Sequence, residues 1–150
     1  MAVVELRDVR DDDLETFFVH QQDPEAAGMA AMPSRDRDPF FAHWARTRAD
    51  PANTLRTVLA GGAVAGNIVS WEQDGQRLVG YWIGREHWGR GVATAALGLL
   101  LDQLPDRPVH AYVATANTGS VRVLRKCGFH PAGPPHTGDD GIEEVLYILE

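Results

Sequence analysis

Cysteine is almost missing. Cys127 stands alone among 150 residues, which excludes an intrachain disulfide. No Cys/His cluster has zinc-ligand spacing either, so no metal is expected. A basic surplus is missing too. The formal charge is -7 at pH 7, and binding a phosphate backbone needs a basic face, so nucleic acid is not an expected partner. A cationic substrate such as an amine suits that sign. No run approaches the roughly 20 apolar residues of a membrane span, so no membrane partner is expected. The opening MAVVELRDVR has neither the basic nor the apolar region of a signal peptide, and a cytoplasmic protein is expected. Repeats and low-complexity linkers are absent, and the length suits one domain over residues 1–150.

What is present is a series of short elements. Residues 3–9 alternate as a first strand. Asp11, Asp12 and Asp13 then read as the capped, dipole-complementing start of a helix that carries Leu14, Phe17, Phe18 and His20. Asp23-Pro24 interrupts it, and residues 25–32 form a short second piece. PSRDRDP, residues 33–39, is a charged loop of the kind that serves as a substrate lid. Asp38-Pro39 opens another helix with Phe40, Phe41, Trp44 and Ala45 on its apolar side. Strands are expected at 54–59, 63–72 and 77–83, joined by turns at Gly61-Gly62 and Asp74-Gly75, hence antiparallel. A fifth strand at 109–114 follows a helix, so it runs parallel to the fourth. Asn117 caps the next helix and Gly128 ends it. Residues 131–141 read as a mobile Pro/Gly-rich loop, and 144–149 as a last strand whose edge could pair across a homodimer.

The informative stretch is YWIGREHWGRGVATAALGLLLDQL, residues 81–104. Tyr81-Trp82-Ile83 is a strand end. Gly89 and Gly91 bracket Arg90 in a turn. Val92, Ala93, Ala96, Leu97, Leu100, Leu101 and Leu104 form one apolar helical stripe, stopped by Pro105. The first amides of a helix lack partners within it and carry its positive dipole end. Glycines let an anion approach them. Residue 94 is Thr where a dinucleotide fingerprint needs Gly, and no Gly-Lys-Ser/Thr run is present, so the two commonest phosphate motifs are excluded.

Gly80-Tyr81-Trp82-Ile83 followed by Trp88-Gly89-Arg90-Gly91-Val92-Ala93-Thr94 resembles the acetyl-CoA-binding core of the GNAT superfamily of N-acetyltransferases. The branch it looks like acts on ribosomal proteins and small molecules. Ala116-Asn117-Thr118-Gly119-Ser120 and then Lys126-Cys127-Gly128-Phe129 resemble a second block of that superfamily, in the right order. The resemblance implies an α/β (α+β) GNAT fold: a mixed sheet of about six to seven strands and about four helices, with parallel, splayed fourth and fifth strands. It implies acetyl-CoA as cosubstrate. The backbone around Trp82 and Ile83 would pair with pantetheine, and the amides of Trp88 to Thr94 would hold the pyrophosphate. Asn117 and Ser120 would flank the thiol. It further implies direct attack by a primary amine. Met29, Phe40, Trp44 and Tyr81 are expected to line the acceptor pocket, and a peptide N-terminus, an amino sugar, an antibiotic or a polyamine would each fit.

Three positions depart from the family pattern. Leu78 replaces a strand glutamate, Leu124 a helix tyrosine, and Glu86 a Gln or Arg at the start of the loop. Glu72 is therefore expected as the base through water, and Ser120 as acid or thiol donor. Two other readings stay open: a CoA-binding sensor or accessory domain that has lost the chemistry, and a phosphate-binding domain for another nucleotide.

Overall fold

The computed structural model describes residues 3–25, 35–138 and 141–150. In order the elements are β1 (Val4–Asp8), α1 (Asp11–Gln21), α2 (Arg37–Ala49), β2 (Thr54–Ala60), β3 (Ala63–Gln73) and β4 (Gln76–Ile83). A 3-10 turn (Arg85–His87) leads into α3 (Val92–Gln103). Then come β5 (Val109–Ala114), α4 (Thr118–Lys126), β6 (His130–Pro131), β7 (His136–Thr137) and β8 (Glu143–Leu149). The strands form one sheet in the order β1-β2-β3-β4-β5-β8-β6, with β7 also on β8. Every pairing is antiparallel except β4 with β5.

The hairpins form where the glycines predict them. Gly61 and Gly62 have φ of 59° and 85°, and Asp74 and Gly75 have 54° and 78°. Paired positive φ values are the hairpin geometry that matches strand twist. The C-terminal expectation needs correction. Within the described part of residues 131–141, β6 and β7 each pair with β8, so that part is not a free loop. β8 therefore has strands on both sides and offers no open edge for a dimer.

Apolar residues collect on both faces of the sheet. On one, Val58, Ile68, Val79, Ile83, Val109, Ala111 and Val113 meet Leu97, Leu100 and Leu124 of α3 and α4. On the other, Leu14, Phe17, Phe40 and Trp44 of α1 and α2 pack with Leu55, Val64 and Val69. Asp13 ties α1 to the sheet. Its carboxylate accepts from Arg7 Nη1 at 2.7 Å, Arg7 Nη2 at 2.9 Å, Thr57 Oγ1 at 2.6 Å and the Arg10 N–H at 2.8 Å. Burial alone would raise its pKa. The bonds from Arg7, Thr57 and Arg10, with the Arg7 charge, outweigh it and hold the pKa at about 2.

Because that folded value lies below the unfolded one, Asp13 stabilises the protein above about pH 4. The contribution disappears as pH falls toward 2. Asp13→Asn should lower stability at pH 7 by about 2 kcal/mol, read as a lower Tm. The gap from the parent protein should narrow in acid. An unchanged Tm would make the cluster energetically idle.

Candidate active site

β4 and β5 pair only at Arg77–Val109 and Leu78–His110. Beyond these, Gly80 to Ile83 have no partner on β5, and a slot opens between the strands. β3 holds the other edge of β4 over the whole length from Gln76 to Ile83. Backbone groups alternate in direction along a strand. The Gly84 N–H donates to Ala65 O at 2.8 Å, so Gly84, Trp82 and Gly80 turn their backbones toward β3. Tyr81 and Ile83 turn theirs toward the slot. The expectation for Trp82 is corrected accordingly: its backbone is engaged with β3, while Tyr81 takes the slot-facing place. The Ile83 carbonyl accepts from Trp88 Nε1 at 2.8 Å, which leaves its N–H directed at the slot.

The slot widens into a cleft of about 410 Å³, lined by Tyr81 to Ile83, His87 to Gly89, Gly91 to Thr94, Asn117, Gly119, Ser120, Arg122, Val123 and Lys126. At one end α3 begins on Gly91, whose φ is +74°; Gly89 has the same value. A side chain at either would be strained in this left-handed region. The first helical bond runs from the Ala95 N–H to Gly91 O at 3.0 Å. The amides of Val92, Ala93 and Thr94 thus precede it, and α3 has neither a side-chain cap nor an acidic residue in its first turn. These amides face the cleft with the helix dipole behind them. Arg122 and Lys126 lie one turn apart on α4 at the same cleft. Neither their side chains nor that of Arg90 has a hydrogen bond or ion pair among the described residues. The arrangement suits an anion.

At the other end stand two hydroxyls. Asn117 Oδ1 caps α4 by accepting from the Ser120 N–H at 3.1 Å. That places Ser120 Oγ 2.7 Å from the Tyr81 phenol oxygen. Burial raises the Tyr81 pKa, only partly offset by the Ser120 hydrogen bond, and it is pushed up to about 12.

The structure separates the remaining expected residues. Glu72 pairs with Arg77 in the β3–β4 register, and its carboxylate lies 3.9 Å from Arg77 Nη2. It sits at the zipped end of β4, about four strand residues or 13 Å along from Tyr81, and does not line the cleft. Glu72 is thereby withdrawn as a base. The spacing of the chain showed it on the right strand but not at which end. Phe40 and Trp44 are in the core, 5% and 7% exposed, with Trp44 against Phe17 and Phe40 against Phe18, because the apolar face of α2 is used in packing against α1 and the sheet. Met29 lies outside the described residues.

Glu86 turns away from the cleft. Its Oε1 is 3.7 Å from His20 Nε2 and 3.8 Å from His87 Nε2. A Cβ on Gly84 would stand 2.6 Å from His20 Nε2, so only glycine lets α1 approach the end of β4 this closely. Burial lowers the His20 pKa, the Glu86 charge opposes that, and His87 adds to it. His87, Arg122 and Lys126 line the cleft without having been anticipated from the sequence. A basic pair four apart on the last helix was the available signal. Among the described residues no group of three His, Cys, Asp or Glu could hold a metal. No described helix is long and apolar enough to cross a membrane.

A family model described as "Acetyltransferase (GNAT) domain" matches residues 4–130. The chain is 39% identical over 60 residues to "Probable N-acetyltransferase YjcK" of Bacillus subtilis, covering 37% of this chain and 33% of that protein. It is 33% identical over 66 residues to "Uncharacterized N-acetyltransferase p20" of Bacillus licheniformis, covering 41% and 37%. These matches thus span about a third of each relative's length. Among solved structures, spermidine N-acetyltransferase from Vibrio cholerae in complex with CoA and spermine superposes with a TM-score of 0.83 at 17% identity, over 97% of this chain and 94% of that one. Aminoglycoside acetyltransferase AAC(6')-Ib in complex with coenzyme A gives 0.80 at 18%, over 98% and 94%. At such identities the likeness is one of fold.

Asn117→Ala removes the cap on α4 and should cost about 1 kcal/mol. Faster amide hydrogen exchange in residues 118–121 is the expected readout. Unaltered exchange there would mean that packing alone holds the turn.

Proposed function

The chain belongs to the GNAT acetyltransferase family, and from that premise we propose that it moves an acetyl group from acetyl-CoA to a primary amine by direct attack in a ternary complex. The observation that carries this is the cleft itself. It joins bare helix amides and unpaired cations at one end to unpaired strand backbone at the other. A diphosphate fits Gly89, Gly91, Val92, Ala93 and Thr94, with Trp88 at the entry and Arg90, which is not among the lining residues, in the same turn. The amide-bearing pantetheine arm fits the slot-facing backbone of Tyr81 and Ile83. Its thiol end then lies near Asn117 and Ser120. Solved relatives of the same fold were crystallised with CoA, which supports the assignment. The 1–150 chain would act as a single domain.

A slot-facing N–H of β4 would polarise the thioester carbonyl as the amine attacks. The amine must arrive neutral, since an ammonium has no lone pair. Among the described residues lining the cleft there is no carboxylate, while His87 supplies an imidazole; on the present reading, deprotonation of the amine is left to solvent. Rate at low amine concentration should therefore climb about tenfold per pH unit until the amine's own pKa, around 10 for an alkylamine. A plateau near neutrality would reveal a base.

The acceptor class is a polyamine, an aminoglycoside or a peptide N-terminus. Spermine accompanies one relative in its crystal and aminoglycoside acetylation names another. The missing carboxylate favours a second reading, a CoA-binding accessory domain without turnover. Thiol release from acetyl-CoA with spermidine, kanamycin and a short peptide separates the two. Release with any of them supports the enzyme; calorimetric CoA binding without release supports the accessory domain. In either case Arg122→Glu with Lys126→Glu should weaken CoA roughly 10- to 100-fold, and less so at high salt. Equal affinity would remove α4 from the phosphate site.

A further inference from the structure

The cleft contains two hydroxyls in mutual contact at the end far from the anion site, and the acetyl-transfer reading above gives them a task. The slot is closed at Leu78–His110, so a thiol arm anchored at Val92 to Thr94 can only run down β4 toward that closed end. Tyr81 stands three residues before the closure. Its phenol reaches across to α4, where Ser120 Oγ is 2.7 Å away and Ser120 O is 3.5 Å away. Asn117 fixes Ser120 from behind through the cap. Leu124, one turn further along α4, is buried in the core with 1% exposure and offers the cleft nothing. The Cys127 thiol is directed at Thr94 O, 3.6 Å away.

We propose that the Tyr81 phenol, held by Ser120, is the hydrogen-bond donor that stabilises the departing CoA sulfur. The inference rests on the acetyl-CoA reading. In the step it serves, the amine nitrogen bonds to the acetyl carbon and the C–S bond breaks, with the electron pair leaving on sulfur as thiolate. With CoA bound, Ser120 O–H would donate to the phenol oxygen, and the Tyr81 O–H would turn from Ser120 O, 3.5 Å away, to that sulfur. The proton lost by the amine passes to solvent, and the thiolate is neutralised on release, so the sum is amide plus free thiol. The phenol itself stays protonated, consistent with a pKa pushed up to about 12. It acts as a fixed donor to developing charge and does not itself ionise.

The test needs no knowledge of the acceptor. CoA is bound to the protein and its thiol titrated by thiolate absorbance, against protein alone. A donor aimed at sulfur lowers the thiol pKa of bound CoA below that of free CoA by about one to two units. Tyr81→Phe keeps the ring and should bind CoA within about threefold of the parent affinity, yet lose that lowering. Ser120→Ala should keep at least part of it. With an accepted amine, Tyr81→Phe should lose on the order of 10²-fold in kcat at unchanged KM. An unshifted thiol pKa in the parent protein overturns the proposal. So does a lowering that survives in Tyr81→Phe, or one abolished by Ser120→Ala alone. If CoA does not bind the parent protein at all, the acetyl-CoA reading fails with it, and calorimetry distinguishes that case.

Discussion

Everything in this molecule turns on a sheet that is nearly two sheets. β4 is secured to β3 through eight residue pairs and β5 to β8 through six, but β4 and β5 share only two. The halves are held together from one face by α3 and α4. Leu97 and Leu100 are fully buried against strands of both halves, with Leu124 beside them at 1% exposure. Each such leucine contributes roughly 2 kcal/mol by leaving water. A core of this kind resists both separation and further closure, so the slot persists as a built feature of the fold. Unpaired backbone in a slot is costly unless something satisfies it, and the pantetheine arm is of a chemistry that would.

Electrostatics sharpen the same place. The protein is acidic as a whole, and many of its arginines are neutralised. Arg7, Arg37, Arg48, Arg56, Arg77 and Arg85 all have carboxylate partners. Arg122 and Lys126, which line the cleft, and Arg90, in the turn before α3, have none among the described residues. Glu86 would spoil that grouping if it faced the cleft. Its turn toward His20 and His87 removes it, and the absence of a side chain on Gly84 is what permits the contact. Cationic side chains at the phosphate end of the cleft and neutral hydroxyls at the thiol end are consistent with a bound CoA.

Most of the elements were legible in the sequence. The limits of the expected strands that are described differ by at most about two residues from expectation, because alternation and paired-glycine turns are local signals; the expected helical piece at 25–32 lies, but for Glu25, outside the described residues. The two GNAT-like blocks pointed to the family, and Gly89, Gly91 and the leucine stripe behind them pointed to the glycine-bracketed helix start that lines the cleft. Errors arose where position depends on partners remote in sequence. Glu72 is on the expected strand but at its zipped end. Phe40 and Trp44 are on the expected helix face, but that face is core. β8 is an interior strand because two-residue strands in a Pro/Gly-rich segment cover it.

Composition and local pattern alone thus determined the class of fold, the glycine-bracketed helix start and the absence of disulfide chemistry. These depend on backbone propensity, hydrophobic period and charge sign, which neighbouring residues suffice to set. Only the tertiary structure decided which strand backbones face the slot, that Tyr81 meets Ser120, that Glu86 looks away, and which cations remain unpaired. Those are relations between residues 30 to 70 apart along the chain, and they exist only once register and helix packing bring the elements into contact.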